Sequence, residues 1–258
     1  MFAAPQTTFV NRKTVARGVS LALVCLLLAA CAHKNAAQRG LNAFPVAPGM
    51  TIFLPDGWKT GDTANYNAAM DNLGAQMPIA IPKGAALFCA NRATPEGKPA
   101  AMVGISRSSF PGLGNEVLRG LTPDEKQQLL QAMNFIMQGM SAQLKMPLLI
   151  TESGFKNVGR YEILQFSGQN EQVEGKVPGW ESLLMRFHIA FFFLPENAVV
   201  LTYINMPQNN PGAEEEFARI LAAFEPDAAY KPAPPPARLG GELMPQYMLR
   251  AGGQGHRE

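Results

Sequence analysis

Residues 183–206 read LLMRFHIAFFFLPENAVVLTYINM and carry the clearest structural pattern in this chain. Two apolar runs, residues 183–194 and 198–206, flank Pro195-Glu196-Asn197, an arrangement typical of a β-hairpin. The first run is apolar on both faces around Phe191-Phe192-Phe193, and a strand of this kind lies inside a sheet that is covered on each side. We therefore predict a central hairpin in an antiparallel sheet.

Further strands are predicted on the N-terminal side of this hairpin. Residues 51–54, 87–90 and 102–106 are short apolar runs bounded by turn residues. Residues 150–167 have the pattern of two strands joined around Asn157-Val158-Gly159.

The long helix between these strands has clear boundaries in the sequence. Thr122 and Glu125 form a capping box, Pro123 lies in the first turn, and Pro147 prevents continuation of the helix. Phe135 falls on the side opposite the apolar face. That face is formed by Leu129, Met133, Ile136, Met137, Met140 and Leu144.

A closing helix is expected after Asn210, which we assign as its cap, with Pro211 in the first turn. Pro226 ends it, and its buried stripe comprises Phe217, Ile220, Leu221 and Phe224. Strands and helices in this order predict one α+β domain over residues 50–226, with a mainly antiparallel sheet packed with helices.

The segment Ile52-Phe53-Leu54-Pro55-Asp56-Gly57-Trp58 resembles the strand-Pro-x-Gly-Trp start of the PsbP/Mog1-like superfamily, which includes the bacterial DcrB lipoproteins. The long middle helix, the late aromatic hairpin and the closing helix at 217–224 are similar in order. The resemblance implies an α/β/α sandwich and a non-catalytic binding or assembly role.

The N-terminus has the features of an export signal. Residues 1–30 contain Arg12, Lys13 and Arg17 but no acidic residue, and residues 19–28 form an apolar run apart from small residues. That run is too short to span a bilayer as a helix. Leu28-Ala29-Ala30-Cys31 resembles a bacterial lipobox, so residues 1–30 are predicted to be a lipoprotein signal peptide and Cys31 the site of lipid attachment. The alternative is an ordinary signal peptide with an incidental cysteine.

The residue after Cys31 bears on location, assuming a Gram-negative cell. Ala32 stands where Asp would signal inner-membrane retention, so the resemblance implies the outer membrane, with the domain on its periplasmic face. We expect residues 31–49 to be a flexible lipidated tether, and residues 227–258, rich in Pro and Gly, to be a disordered tail.

The charge balance disfavours nucleic acid as a partner. The first thirty residues hold three of the 22 basic residues and none of the 20 acidic ones, so the remaining chain carries a formal charge of −1. Without a basic excess there is little counterion release to drive binding to phosphates. We therefore expect contact with a membrane through the lipid, and an envelope protein of unknown identity as partner.

Residues with catalytic chemistry are few. The most specific enzymatic hypothesis is that Cys89 and His188 form a nucleophile pair. The alternative is that Cys89 packs in the core and His188 lies on a partly solvated strand face. Ser106 lacks the glycine pattern of a nucleophile elbow, and Glu171 and Glu174 fit a solvated loop. His33 and His256 lie near the two ends of the chain. We expect no catalytic centre, metal site or cofactor.

Two other groups of side chains have the chemistry for a binding role. Met133, Met137 and Met140, near Met146, fit either an adaptable apolar groove or, preferably, the core. Trp58 and Trp180 fit either the rim of a binding surface or structural plugs.

The sequence as a whole favours a non-enzymatic envelope lipoprotein whose domain binds another protein or helps its assembly. The alternatives are an immunity lipoprotein that neutralises a secreted toxin, a carrier of lipid or a small ligand, and an enzyme that uses Cys89 or His188.

Overall fold

The computed structural model describes residues 38–64, 67–68, 86–110, 112–143, 148–170, 184–195 and 197–231. The strands and helices named below lie in the compact unit that begins at Leu41. They are β1 (Asn42–Ala47), β2 (Met50–Leu54), β3 (Lys59–Thr60), β4 (Ala86–Ala93), β5 (Pro99–Ser108), α1 (Asn115–Gly120), α2 (Pro123–Gln143), β6 (Leu148–Val158), β7 (Tyr161–Asn170), β8 (Arg186–Phe193), β9 (Ala198–Asn205) and α3 (Ala213–Ala223).

The predicted hairpin, β8 and β9, lies inside a seven-stranded sheet of order β3-β4-β5-β9-β8-β7-β6. Each pair of neighbouring strands is antiparallel. β1 and β2 form a separate two-stranded antiparallel sheet. The predicted α+β class with a mainly antiparallel sheet is therefore confirmed.

Both faces of the large sheet are covered. On one side, called here the α3 face, Phe192 and Leu201 belong to a core that includes β2 and α3. On the other, called here the α2 face, Phe191 and Phe193 pack in a second core with α1 and α2. The sheet thus lies between helices, as an α/β/α sandwich requires. Among the described residues, no helix combines the length and apolar character needed to cross a membrane.

The start of α2 confirms the predicted capping box. The backbone N–H of Thr122 donates to Glu125 Oε2 at 2.7 Å, and the backbone N–H of Glu125 donates to Thr122 Oγ1 at 3.3 Å. Leu129, Met133 and Met137 of the predicted apolar face are buried in the α2-face core.

The start of α3 differs from the prediction. Gly212 occupies the N-cap position, where it has no side chain to accept a hydrogen bond from the first turn. Asn210 is not the cap, because its buried amide instead donates from Nδ2 to the Tyr203 hydroxyl at 3.0 Å. The predicted stripe of Phe217, Ile220 and Leu221 is buried, and Phe224 caps the C-terminal end.

The folded part extends beyond residues 50–226 at its N-terminal side. Residues 42–47, placed in the predicted tether 31–49, form β1 and pair with β2. Phe44 and Val46 pack against the α3-face core, which explains why this segment is ordered. Residues 1–30 and Cys31 lie outside the described residues.

The C-terminal side is extended as well, because Tyr230 fastens residues 225–230 to the domain. Its ring stacks on Tyr161 with centroids 4.9 Å apart, and its hydroxyl donates to Glu116 Oε1 at 2.7 Å, with Asn115 Oδ1 as a second acceptor within reach at 3.2 Å. The Arg160 guanidinium lies 5.5 Å and 5.7 Å from the two tyrosine ring centroids. Residues 227–230, placed in the predicted disordered tail 227–258, are therefore attached to the folded domain; residues 232–258 lie outside the described part of the chain.

We expect Tyr230→Ala to lower the free energy of unfolding by about 3 kcal/mol, because a buried aromatic ring is lost. Tyr230→Phe keeps the ring and removes its hydrogen bonds, with a loss of about 1 kcal/mol. Lys231→Ala, at an exposed neighbouring position, is the control. Chemical denaturation measures all three, and equal stability of Tyr230→Ala and Lys231→Ala would contradict the role given to Tyr230.

Candidate functional site

A polar cleft of about 240 Å³ opens on the α3 face, where β6, β7 and β8 meet the first turn of α3. Strand register builds it: Ser167 faces His188, and Gln169 faces Arg186 across β7 and β8. Because alternate residues of a strand share a face, these pairs form two adjacent rows on the sheet. The cleft is lined by Thr151, Glu152, Ser167, Gly168, Gln169, Arg186, His188 and Glu214.

His188 lies at the base of this cleft and is 4% exposed. Its ring stacks on Phe217 of α3 with centroids 4.5 Å apart. Its Nδ1 lies 2.9 Å from Ser167 Oγ, and that oxygen also accepts a hydrogen bond from Gln165 Nε2 at 3.3 Å. The Ser167 hydroxyl hydrogen is then directed to Nδ1, which favours the tautomer with its proton on Nε2.

The Nε2 atom of His188 faces a carboxylate without a well-aligned hydrogen bond. It lies 3.4 Å from Glu214 Oε2, yet it has no hydrogen-bond partner of acceptable geometry among the described residues. Glu214 Oε1 lies 3.7 Å from Arg186 NH1, so one exposed carboxylate bridges two cationic or proton-donating groups. A buried polar atom without a well-aligned partner is uncommon. Nε2 is itself covered, so a bound molecule reaches it only when the exposed Glu214 side chain moves aside.

Burial lowers the pKa of His188 from its ordinary value, and the positive charge of Lys156 lowers it further. Glu214 and Glu152 oppose these effects and raise it. Because the net shift is downward, His188 is neutral at pH 7.

A second buried polar group lies beside His188 on the same face. The Tyr203 hydroxyl donates to Glu216 Oε1 at 3.1 Å, and Glu216 also pairs with Arg92. Burial raises the pKa of Tyr203, and the neighbouring Glu216 raises it further. Arg92 lies over the ring of Trp58 at 5.8 Å from its centroid. This group fixes α3 against the sheet and thereby positions Glu214 at the cleft.

Ser167, His188 and Glu214 place a hydroxyl, an imidazole and a carboxylate next to one another, as in acyl-transfer enzymes. In this protein, however, the serine hydroxyl is not accessible to a substrate. Ser167 is 7% exposed, and its oxygen is already engaged by both Gln165 and His188. A serine nucleophile needs an Oγ that a substrate can contact, with a base beside it, and the buried Ser167 Oγ does not offer such access. The arrangement is better suited to recognition by hydrogen bonds.

The structure does not bring Cys89 and His188 together. Cys89 aligns with Gly104, Thr202 and Ile189 across the sheet, so its side chain lies on the face opposite His188. Three strand-to-strand steps of 4.7–4.9 Å separate β4 from β8, about 14 Å in all. Burial raises the pKa of the Cys89 thiol. The hypothesis of a Cys89–His188 nucleophile pair is therefore wrong.

The other candidates occupy the core or lie outside the described residues. Met133 and Met137 are buried, which supports the core interpretation of these two methionines. Trp58 is buried and Ser106 lies inside β5. In the described part of the chain, no group of three or more His, Cys, Asp and Glu side chains is placed to hold a metal. Outside it fall Cys31, His33, Leu144, Met146, Glu171, Glu174, Trp180 and His256, as well as the side chain of Met140.

Sequence reasoning missed most residues of the cleft. Gln165, Ser167 and Gln169 alternate along β7, and this polar row on one face of an otherwise apolar strand was a usable signal. Glu214 and Arg186 gave no such signal, because only the fold places α3 beside β8.

Gly168 permits the close packing beneath the cleft. A Cβ at this position would lie 2.4 Å from the backbone oxygen of Leu149 and 2.4 Å from the Phe187 ring. The ring of Phe187 therefore covers the glycine on the α2 face. By contrast, a Cβ at Gly154 of the neighbouring strand would meet no atom within 4 Å.

No family model matches this chain, and no curated protein matches it. Among solved structures, the cyanobacterial PsbP protein CyanoP from Synechocystis sp. PCC 6803 is 10% identical with a TM-score of 0.44, over 72% of this chain and 92% of that one. LpqN, involved in cell envelope biogenesis of Mycobacterium tuberculosis, is 13% identical with a TM-score of 0.37, also over 72% and 92%. The immunity protein TplEi of the Pseudomonas aeruginosa T6SS, solved with a peptide, is 9% identical with a TM-score of 0.36, over 74% and 100%. At these identities and TM-scores no function is transferred, and the α+β class rests on the sheet and helices described above.

Gly168→Ala is expected to lower the free energy of unfolding by about 2 kcal/mol, since the added methyl group overlaps backbone and ring atoms. The matched change Gly154→Ala, in open space, is expected to alter stability by less than about 0.5 kcal/mol. Thermal denaturation of both variants measures the difference. Equal effects would show that the close approach at Gly168 does not constrain the sheet.

The lowered pKa of His188 predicts a specific pH dependence of stability. Below the ordinary value of 6.5, the unfolded state binds a proton that the folded state does not, so the free energy of unfolding falls as the pH drops. The loss begins near 6.5 and continues down to the folded-state pKa. In His188→Gln this slope is expected to disappear between about pH 7.5 and pH 5. Urea denaturation across this range measures it, and an unchanged slope in the variant would contradict the assignment.

Proposed function

We propose that this chain is a non-enzymatic, lipid-anchored protein of the outer membrane, whose α+β domain binds another envelope protein or assists its assembly on the periplasmic side. The anchor part of the proposal rests on Leu28-Ala29-Ala30-Cys31 after a basic segment and a short apolar run. Several acyl chains on one residue hold a protein stably at a bilayer, whereas a single chain does not.

The observation that carries the binding part is the polar cleft, with His188 at its base and the exposed Glu214 carboxylate 3.4 Å from its poorly hydrogen-bonded Nε2. This group is held in place by Ser167 on one side and by the Phe217 ring on the other. A preorganised hydrogen-bonding group loses little entropy when a partner binds. Arg186 and Glu214 at the rim add a charge of each sign, which suits a polar segment of a protein.

The cleft fits a protein segment better than an acyl chain. Its lining is charged or polar at nearly every position, and the apolar side chains of the sheet pack against helices or β2. A lipid carrier needs an apolar cavity, because a buried polar group without a partner is costly. An immunity lipoprotein is a special case of the proposed binding role, with a toxin as the bound protein.

Palmitate labelling and partner capture test the two parts together. The full chain is expected to incorporate palmitate and Cys31→Ser is not; equal labelling of both would contradict the anchor. Cross-linking in intact envelopes, followed by detergent extraction, is expected to recover a specific protein with the unaltered chain. Recovery is expected to fall severalfold with Glu214→Lys, which changes the charge at the cleft rim.

Glu215→Lys is the matched control, because Glu215 is the next residue of α3, is exposed and does not line the cleft. The two variants carry the same charge change on the same helical turn. Equal recovery with both variants, or no specific protein with the unaltered chain, would refute the binding proposal. A toxin among the recovered proteins would select the immunity role, and co-purified lipid alone would select the carrier.

A further inference from the structure

The sheet ends at an unusually long edge strand. β6 contains 11 residues and pairs only with β7 among the described residues, whereas the strand at the opposite edge, β3, contains two. An edge strand presents a row of backbone N–H and C=O groups that can pair with another strand. β6 is therefore the part of the sheet best placed to accept a further strand.

The middle of β6 is complementary to itself. Its sequence Glu152-Ser153-Gly154-Phe155-Lys156 places opposite charges two residues to either side of Gly154. All three alternate residues lie on the α3 face, since Glu152, Gly154 and Lys156 align with Ser167, Gln165 and Ile163 of β7. In an antiparallel pair of two such strands centred on Gly154, each Glu152 faces the Lys156 of the other copy.

We propose that two copies of this chain associate through antiparallel pairing of their β6 strands, with the two-fold axis at Gly154. The pairing joins the two large sheets into one and forms two intermolecular ion pairs between Glu152 and Lys156. Such an interface is isologous, because the same surface contributes on both copies. The occupant of the edge is thus a second copy, selected by the charge pattern.

The surroundings of Gly154 permit this approach. Glu152 and Lys156 have side-chain exposures of 61% and 44%, and they reach each other within one chain at 2.9 Å across the bare glycine. A Cβ at Gly154 would meet nothing within 4 Å, so the α3 face of β6 is open at this residue and leaves room for the side chains of a second copy. In the dimer, Glu152 and Lys156 of one copy no longer pair with each other. Each pairs with the oppositely charged residue of the second copy.

The extent of pairing is limited on one side. A register shift between Ile150 and Glu152 interrupts the regular edge, so the paired segment comprises residues 152–156. Bulges and charged residues of this kind also protect edges from indiscriminate pairing. A short paired segment predicts a weak, reversible dimer, which is best detected by cross-linking rather than by size alone.

Cysteine cross-linking of the full chain tests the register. Directly opposed residues in an antiparallel pair have Cα atoms about 4.5–5.5 Å apart, within the range for a disulfide. Gly154→Cys is therefore expected to give a covalent dimer under mild oxidation. Asn157→Cys is the matched control, because the two copies of Asn157 would be offset by six residues, about 20 Å. The unaltered chain, which retains its own cysteines, measures the background.

The second test reverses the charges of Glu152 and Lys156 in the Gly154→Cys chain and measures the yield of cross-linked dimer. Glu152→Lys alone places like charges opposite each other at both sites, and so does Lys156→Glu; each is expected to lower dimer yield severalfold at low salt. The double variant restores opposite charges and is expected to recover the yield. Thermal denaturation of each variant confirms that the domain remains folded.

The outcomes separate the possibilities. Dimer yield that is specific to Gly154→Cys and recovers in the double variant supports the proposal. Equal cross-linking of Gly154→Cys and Asn157→Cys, or no recovery in the double variant, would overturn it. A cross-linked product with the mass of a different protein would overturn it as well and assign the edge to that protein.

Discussion

The burial of both faces of β8 is the constraint on which the rest of the domain depends. Phe192 contacts Phe224 of the α3 side at 5.2 Å between ring centroids, while Phe193 contacts Phe110 on the α2 side at 5.5 Å. Each such ring gains about 1.5–3 kcal/mol when it leaves water. Because both faces of β8 carry aromatic rings, each face must be covered by other parts of the chain. Helices α1 and α2 cover one face, and α3 with β2 covers the other.

The position of the polar cleft follows from where this covering ends. Along β8 the α3 face changes from Phe192 and Ala190, which are buried in the apolar core, to His188 and Arg186. The apolar stripe of α3 reaches His188 through Phe217, whose ring stacks on it, but it does not cover Arg186, whose side chain is 44% exposed. Polar side chains that are buried there need hydrogen-bond partners. Gln165, Ser167 and His188 provide them for one another. The cleft is therefore the uncovered end of the same face that α3 buries.

Local patterns in the sequence were sufficient for most of the fold but not for the site. The aromatic hairpin and the Thr122–Glu125 capping box depend on neighbouring residues, and both were predicted. β1 was missed because it includes Pro45 and lacks clear alternation, although Pro48-Gly49, with Gly49 at a φ of 76°, is a recognisable turn signal. Two other predictions failed because of contacts between distant residues. Asn210 does not cap α3 because it bonds to Tyr203, and the chain stays folded beyond residue 226 because Tyr230 bonds to Asn115, which is 115 residues away. The cleft is likewise assembled from three strands and a helix, so composition and periodicity do not reveal it.

The cleft and the open edge of the sheet are physically connected through Glu152. This residue lines the cleft, and with Lys156 it also forms the charge pair on the edge strand. Both charges act on His188, with Glu152 raising its pKa and Lys156 lowering it. In the proposed dimer, Glu152 of each copy pairs with Lys156 of the other copy, where within one chain it pairs with its own Lys156. Each glutamate therefore still has one lysine beside it. The net charge beside His188 is then preserved, so the two surfaces can be occupied at the same time without an electrostatic conflict between them.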